Sequence, residues 1–329
     1  MSSTIERTAL AEPTSAALQP GGAAPTVAVI IPCYNEEVAI AQTVEGFRTA
    51  LPNALIYVYD NNSADRSREA AAAAHAIVRN EPHQGKGNVV RRMFADIDAD
   101  IYVLADGDAT YDANAAPEMI AMMTAGGLDM VVGCRHDKAQ AAYRPGHRFG
   151  NAMLTDFLAW MFGRAFNDTL SGYRVFSRRF VKTFPSLSSG FEIETEINVH
   201  ALTLRMPVGE LETFYKERIE GSASKLRTYS DGFRILGMML SLFRQDKPAT
   251  FFAIVAGIFL GVAAILFVPI AITFVNTGQV PRLPTAVLCT GLVILAMLSA
   301  ACGLILDTVT HGRREVRRLA YLAYKAPHA

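Results

Sequence analysis

The sequence is poor in the signatures that announce a chemistry outright. Its 329 residues include four cysteines, Cys33, Cys134, Cys289 and Cys302, with no CxxC pair and no metal-ligand spacing. That excludes a thiolate metal knuckle and a disulfide-stapled scaffold, and the four read as reduced thiols of a domain facing the cytosol. Net charge is missing as well: 31 Lys+Arg balance 31 Asp+Glu, so no global basic field recruits nucleic acid. Neither GxGxxG nor GxxxxGK[ST] occurs, which argues against a dinucleotide-binding or P-loop enzyme. His75, His83 and His200 lack ligand spacing and read as surface or helix-end residues without a role.

Apolar residues, by contrast, are abundant, at 51% of the chain, and the excess sits at one end. Phe251–Val275 contains no charged residue over 25 positions. At 1.5 Å per residue it reaches roughly 37 Å, enough to cross a hydrocarbon core of about 30 Å. A second uncharged run, Pro284–Leu306, spans 23 residues, and the link between them carries only Arg282. Arg244 and Lys247 precede the first run; Arg313, Arg314, Arg317, Arg318 and Lys325 follow the second. The competing reading is a pair of buried core helices. The basic flanks favour a membrane hairpin with both flanks cytoplasmic. The N-terminus has no signal-peptide pattern, since Glu6 and Arg7 interrupt it. The expected location is therefore the inner (plasma) membrane, multi-pass, with the large first part and both termini in the cytoplasm. Two thin spans gain packing partners by self-association, so a dimer or tetramer is expected to be accessible.

Residues 1–25 lack periodicity and read as a disordered tail. Val27–Ile31 is a β-branched run suited to a strand buried on both faces, and Leu55–Tyr59, Ala76–Val78, Ile101–Leu104 and Met130–Gly133 repeat the pattern. Ile40, Val44, Phe47 and Leu51 step at helical spacing, Arg68–Ala74 is Ala-rich, and another helix begins near Asn88. Strands alternating with helices predict a doubly wound, mostly parallel α/β sheet over residues 26–228, whose ligands bind beyond the strands' carboxyl ends. An amphipathic juxtamembrane helix is expected at 229–247, the two spans within 248–310, and a basic tail at 311–329.

Polar clusters fall at those strand ends. Asp106-Gly107-Asp108 follows the fourth strand. Two carboxylates one residue apart can share a hard divalent cation, Mg²⁺ or Mn²⁺, with substrate phosphates completing the shell. Asp60 ends the second strand, and Gly85-Lys86-Gly87 offers backbone N–H groups and a cation to an anion. Glu192, Glu194 and Glu196 suit either salt bridges or a sugar hydroxyl. Met153, Phe157 and Trp160 form one aromatic stripe, and Phe233, Leu236, Leu240 and Phe243 a second, each readable as core packing or as a lipid-facing surface. Arg148 would then meet a phosphate, while Arg227 and Arg234 would attract anionic lipid.

In order along the chain, PCYNEE (32–37), YDNNSADRS (59–67), QGKGN (84–88), LADGD (104–108), GCR (133–135), DTLSGYRVFSR (168–178) and GSASKL (221–226) resemble family 2 glycosyltransferases of the GT-A fold. The likeness is strongest to the polyprenyl-phosphate type, such as dolichol-phosphate mannose synthase and its bacterial undecaprenyl-phosphate counterparts. The resemblance implies inverting transfer of a hexose from a nucleotide-sugar, UDP-sugar preferred and GDP-mannose the alternative, to a polyprenyl phosphate. It implies that Pro32, Tyr34 and Glu36 cradle the base and ribose, with Asp60 at the base and Lys86 on the donor. Asp106 and Asp108 become the Mg²⁺ or Mn²⁺ pair, Asp108 favoured as direct ligand. Arg135, Arg148, Arg218 and Lys225 fall to the acceptor phosphate. Two positions depart from the family pattern: Asn61 stands where a second acid is usual, and Ala109-Thr110 where Leu-Gln is frequent. A processive polysaccharide synthase would need a QxxRW motif and a larger membrane channel. A non-catalytic nucleotide-sugar-binding protein would not need the paired acids.

Overall fold

The computed structural model describes residues 24–136, 156–157, 159–160, 166, 168–186, 188, 190, 192–216, 237, 239–280 and 282–327. Strand β1 (Val27–Cys33) is nearly all apolar and is flanked by β2 (Leu55–Asp60) and β4 (Ile101–Leu104), both parallel to it. β3 (Ile77–Asn80) extends this side in parallel. On the other side β6 (Arg174–Ser177) runs antiparallel between β4 and β5 (Met130–His136), and β7 (Val208–Phe214) pairs in parallel with β5. The order is β3-β2-β1-β4-β6-β5-β7.

Because successive side chains alternate, each central strand feeds two cores. Val29, Ile31, Val58 and Val103 pack on one face with Ile40, Val44 and Phe47 of α1 (Ile40–Ala50) and Met119 and Met123 of α4 (Ala116–Gly126). α2 (Ser67–Ala73) adds Ala71 on that side. Ala28, Ile30, Tyr102 and Leu104 pack on the other face with α3 (Lys86–Asp96), α5 (Arg178–Thr183) and α6 (Ile193–Thr203). The single antiparallel strand has a consequence for the site. β6 starts where its neighbours end, so the segment Asp168–Tyr173 arrives at the same sheet edge as Asp60 and Asp106.

Two long helices follow, α7 (Pro248–Thr277) and α8 (Leu283–Leu322), and both are long and apolar enough to cross a membrane. Apart from Pro248 and Tyr321 near their ends, their buried residues repeat every seven positions: Ala256, Ala263 and Ile270 on α7; Cys289, Ala296, Gly303 and Thr310 on α8. A heptad seam of small residues is the geometry of close antiparallel packing. At Gly303 a Cβ would lie 2.9 Å from the Cβ of Phe252, so the seam excludes any side chain there. Outside the seam the apolar residues face away, Ile265 and Val275 among the most exposed.

α8 runs on past its apolar stretch and returns to the first domain. Tyr321 is buried in the core under α5, and its hydroxyl donates to Asp129 Oδ2 at 2.7 Å. Arg179 and Arg318 stand over its ring at 4.6 and 4.9 Å, and Arg179 also pairs with the fully buried Asp129. The ring is thus held between two cations while its hydroxyl answers a buried anion. Near the start of α7, Trp160 packs against Phe243 (5.4 Å) and Phe157 (6.0 Å), with Lys247 above it at 5.6 Å, yet remains 60% exposed. That exposure is against ordinary core packing. Removing only the Tyr321 hydroxyl isolates the anchor. Tyr321→Phe is expected to lower stability by about 1–2 kcal/mol and the unfolding temperature of the purified chain by roughly 2–6 °C, read by differential scanning calorimetry.

Candidate active site

The site is built at the carboxyl edge of β1, β2 and β4. After β1 the chain turns through Asn35 in the left-handed region (φ 52°). The turn is laced to the loop after β2: the Asn35 N–H donates to Ser63 Oγ at 2.9 Å, and the Glu36 N–H to Ser67 Oγ at 2.7 Å. Asp60 is buried; its Oδ2 accepts from the Ser63 N–H at 3.3 Å, while its Oδ1 has no partner. A buried acceptor without a donor is costly.

The departure at Asn61 has a structural reason. Its side-chain amide donates to the carbonyls of Glu81 and His83, both at 2.9 Å, and its Oδ1 accepts from the Gly85 N–H at 2.6 Å. A side-chain amide offers two donors and an acceptor together. Asn61 therefore ties the β2 turn to the loop that presents Lys86. Gly85, at φ 131°, occupies backbone space that other residues rarely adopt, and α3 starts at the next residue.

Lys86 occupies the centre. Its Nζ donates to Asp106 Oδ1 at 2.5 Å and to Glu194 Oε1 at 2.7 Å, and its side chain is only 8% exposed. Burial opposes the ammonium charge, but Asp106 and Glu194 more than offset it and hold its pKa above the ordinary lysine value. Glu194 reaches it from the first turn of α6. Gly172 closes the arrangement, since a Cβ there would fall 2.6 Å from Asp106 Oδ2 and 3.1 Å from Lys86 Nζ. Tyr111 lies alongside and accepts from the Gly172 N–H at 2.9 Å. Burial, then Asp106, push the Tyr111 pKa well up, with Arg135 and Lys86 pulling against them.

Asp108 is buried one turn further on. Thr110 Oγ1 donates to its Oδ1 at 2.6 Å, so the threonine that replaces the usual glutamine orients the carboxylate. Among the described residues no group of three or more His, Cys, Asp or Glu side chains could hold a metal ion. The Asp106/Asp108 pair fits a hard divalent cation by donor chemistry, as an incomplete shell that phosphate oxygens and water would finish.

Arg135, at the end of β5, grips Asp168 with two parallel bonds, Nε to Oδ2 at 2.7 Å and Nη2 to Oδ1 at 2.8 Å. Burial works against the Asp168 carboxylate, yet Arg135 keeps its pKa below the ordinary value. The loop between is shaped by Arg174, which is fully buried and donates to the carbonyls of Ser171 (2.8 Å) and Thr169 (3.0 Å) and to Asn198 Oδ1 (2.5 Å).

Of the residues expected from sequence, Pro32, Tyr34, Glu36, Asp60, Lys86, Asp106 and Asp108 lie along this edge, and Arg135 at its β5 end. Arg148, Arg218 and Lys225 lie outside the described residues, as do Met153, Phe233, Leu236, Arg227, Arg234 and the GSASKL segment. Of the two expectations for His200, the helix end holds and the surface does not: it stands in the last turn of α6 and is 2% exposed, edge-on to Phe180 and Phe184, because the aromatic core under α6 encloses it. Sequence reasoning gave no role to Asp168, Tyr111 or Arg174. Asp168 and Arg174 did fall within a quoted motif, and a charged residue opening an apolar strand was the available sign.

Residues 28–183 match the family model described as Glycosyl transferase family 2. Glycosyltransferase AglJ of Haloferax volcanii is 35% identical over 229 residues, covering 67% of this chain and 72% of its own length. The chain belongs to glycosyl transferase family 2. An uncharacterized protein of Shigella flexneri, SF2094/S2216, is 49% identical over 156 residues, covering 47% of this chain and 96% of that protein. The dolichyl-phosphate hexose transferase of H. volcanii is 24% identical over 209 residues, covering 64% and 90%. Among solved structures, glucosyl-3-phosphoglycerate synthase of Mycobacterium tuberculosis, crystallised with Mn²⁺ and UDP-glucose, superposes with a TM-score of 0.54 at 18% identity over 69% of this chain and 84% of that one. The likeness establishes the GT-A-like fold of this family 2 chain.

The Asn61 clasp makes a specific demand. Asn61→Asp replaces two donated bonds by a carboxylate facing two carbonyls, at a cost of about 2–4 kcal/mol. Faster amide hydrogen exchange confined to residues 81–87 is the expected result.

Proposed function

We propose that this chain is a membrane-bound polyprenyl-phosphate hexosyltransferase. It transfers a hexose, with inversion, from a nucleotide-sugar to a polyprenyl phosphate at the cytoplasmic face of the inner membrane. The observation that carries this reading is the Asp106/Asp108 turn, with Lys86 bridging Asp106 to Glu194, at the same end of the sheet as the buried unpartnered oxygen of Asp60. Two facts support the lipid acceptor. Only 11% and 17% of the most apolar windows of α7 and α8 are buried within the protein, unlike core helices of a soluble domain. One relative at 24% identity carries the name dolichyl-phosphate hexose transferase.

In this reading the base donates an N–H to Asp60 Oδ1, the orphan acceptor, and UDP is the favoured nucleotide. Tyr34 and Glu36 line the ribose side. Asp106 and Asp108 would hold Mg²⁺ or Mn²⁺, which would supply charge stabilisation to the leaving diphosphate. Lys86 is pinned so that its charge stays beside Asp106 without drifting onto the phosphates, and Glu194 is the group that pins it. Arg135, preset by Asp168, stands ready for the acceptor phosphate. A lipid monophosphate is anionic at pH 7 and attacks without a general base. This agrees with the absence of a Ser/His/Asp arrangement in the sequence.

Full-length protein in detergent with undecaprenyl phosphate, Mn²⁺ and a panel of UDP-glucose, UDP-GlcNAc and GDP-mannose is expected to yield one lipid-phosphate sugar. Its anomeric configuration should be opposite to the donor's by NMR; a retained configuration contradicts the mechanism. Asp108→Ala should reduce turnover by about 10²–10³-fold or more, and unchanged turnover would remove the metal pair from the mechanism. Glu194→Gln leaves Lys86 with one carboxylate, so Lys86 competes harder for Asp106. The Mn²⁺ concentration for half-maximal binding, followed by electron paramagnetic resonance of free Mn²⁺, should rise roughly tenfold.

A further inference from the structure

Helix α6 has two working faces. Glu194 and Asn198, one turn apart, look into the transfer site, where they meet Lys86 and Arg174. Glu196, Val199 and His200 lie about 140–240° around the helix from Glu194 and line a separate cleft against Asp246 and α8. The far wall of that cleft carries Arg313, Arg314 and Arg317. We propose that this cleft is a binding site for the phosphate group of an anionic membrane lipid.

Four observations point there. The first is charge. Three guanidinium groups face two carboxylates, those of Glu196 and Asp246, and the other polar groups lining the cleft, His200, Gln245 and Thr310, carry no charge to offset them. Arg314 is committed to Asp246, donating to its carbonyl at 2.5 Å with the carboxylate 3.7 Å away. Arg313 and Arg317 have no hydrogen bond or ion pair among the described residues. Burial, with Arg313 and Arg314 adding to it, lowers the Arg317 pKa against the pull of Asp246 and Glu196, as expected where cations crowd. The second is unmet hydrogen bonding. His200 is nine-tenths and more buried, its Nδ1 has no partner, and the Nε of Arg314 is likewise unpartnered. Burial and Arg317 bring the His200 pKa down to about 3, so the ring is a neutral hydrogen-bonding group at physiological pH.

The third is size. The cleft encloses about 60 Å³, roughly four to six water-sized positions, which suits a phosphate group and not a nucleotide. The fourth is depth, and here the inference rests on the membrane reading above. The apolar run of α8 ends at Leu306, and Thr310 to Arg317 lie roughly 6–17 Å further along the helix, from the headgroup layer of a bilayer outward. The opposite wall, Leu242 to Asp246, immediately precedes α7. A lipid phosphate at this level meets paired arginine N–H donors without leaving the membrane surface.

The ligand chemistry has two sources, a bulk anionic phospholipid and a polyprenyl phosphate awaiting transfer. Native mass spectrometry of the full-length protein in detergent, offered phosphatidylglycerol, phosphatidylcholine or polyprenyl monophosphate, separates them. Wild type is expected to retain an anionic lipid and not phosphatidylcholine. The double variant Arg313→Gln/Arg317→Gln, which spares the Arg314–Asp246 pair, should retain on the order of tenfold less at an unchanged unfolding temperature. Arg313→Lys/Arg317→Lys should restore much of it. Displacement of phosphatidylglycerol by equimolar polyprenyl phosphate assigns the site to the acceptor; retention assigns it to the bulk lipid. Equal retention by wild type and the glutamine variant, or equal retention of phosphatidylcholine, overturns the site. The readout is lipid retention and not hexose transfer, so this proposal and the proposed activity fail separately.

Discussion

A buried ammonium shared by two carboxylates organises the carboxyl edge of the sheet. Lys86 belongs to the loop between β3 and α3, Asp106 to the end of β4, and Glu194 to α6. Breaking such an arrangement at one member leaves an uncompensated charge out of water, so the three segments are constrained to one geometry. Other features of the edge serve that constraint. Asn61 fixes the loop that carries Lys86, Gly172 keeps side-chain bulk away from Asp106, and Arg174 shapes the segment that contains Gly172.

The apolar helical hairpin is joined to this core at more than the chain connection. Tyr321 enters beneath α5 and ties the end of α8 to Asp129, while Arg318 donates to the carbonyl of Leu204 at the end of α6 at 3.0 Å. A long helix rising from a seam of small residues and ending in the core of the first domain holds that domain in a set orientation. Under the proposed function, with an acceptor confined to the bilayer surface, that orientation would be part of catalysis, because it would bring the two anionic substrates to one edge of the sheet.

Much of the architecture was legible because it is written in apolar runs. β1, β2, β4 and β5 lie between two helical layers, so their sequences are almost purely hydrophobic, and the acids stand where those runs stop. The third strand forms at Ile77–Asn80, slightly later than Ala76–Val78 suggests, since its edge position asks for little burial. β6 and β7 were not legible. β6 opens with Arg174, whose burial becomes acceptable only through Asn198 and two carbonyls brought in by tertiary folding. β7 alternates glutamates with apolar residues as a half-buried edge strand does. In the site, the Asp106/Asp108 pair stood out not by spacing but by its place at a strand's carboxyl end, with Asp60 at the end of a second strand. The Lys86–Glu194 pairing, across 108 residues of sequence, was not legible, because no local pattern encodes which of three alternating glutamates faces the ammonium.

The central claim is that the paired aspartates, one of them held by the clasped lysine, form a diphosphate site completed by a divalent cation. Isothermal titration of UDP into the full-length protein, with and without Mn²⁺, tests it most directly. The account requires UDP to bind at least about tenfold more tightly with the metal, since each supplies ligands or charge the other lacks. Equal affinity in the two titrations would contradict it.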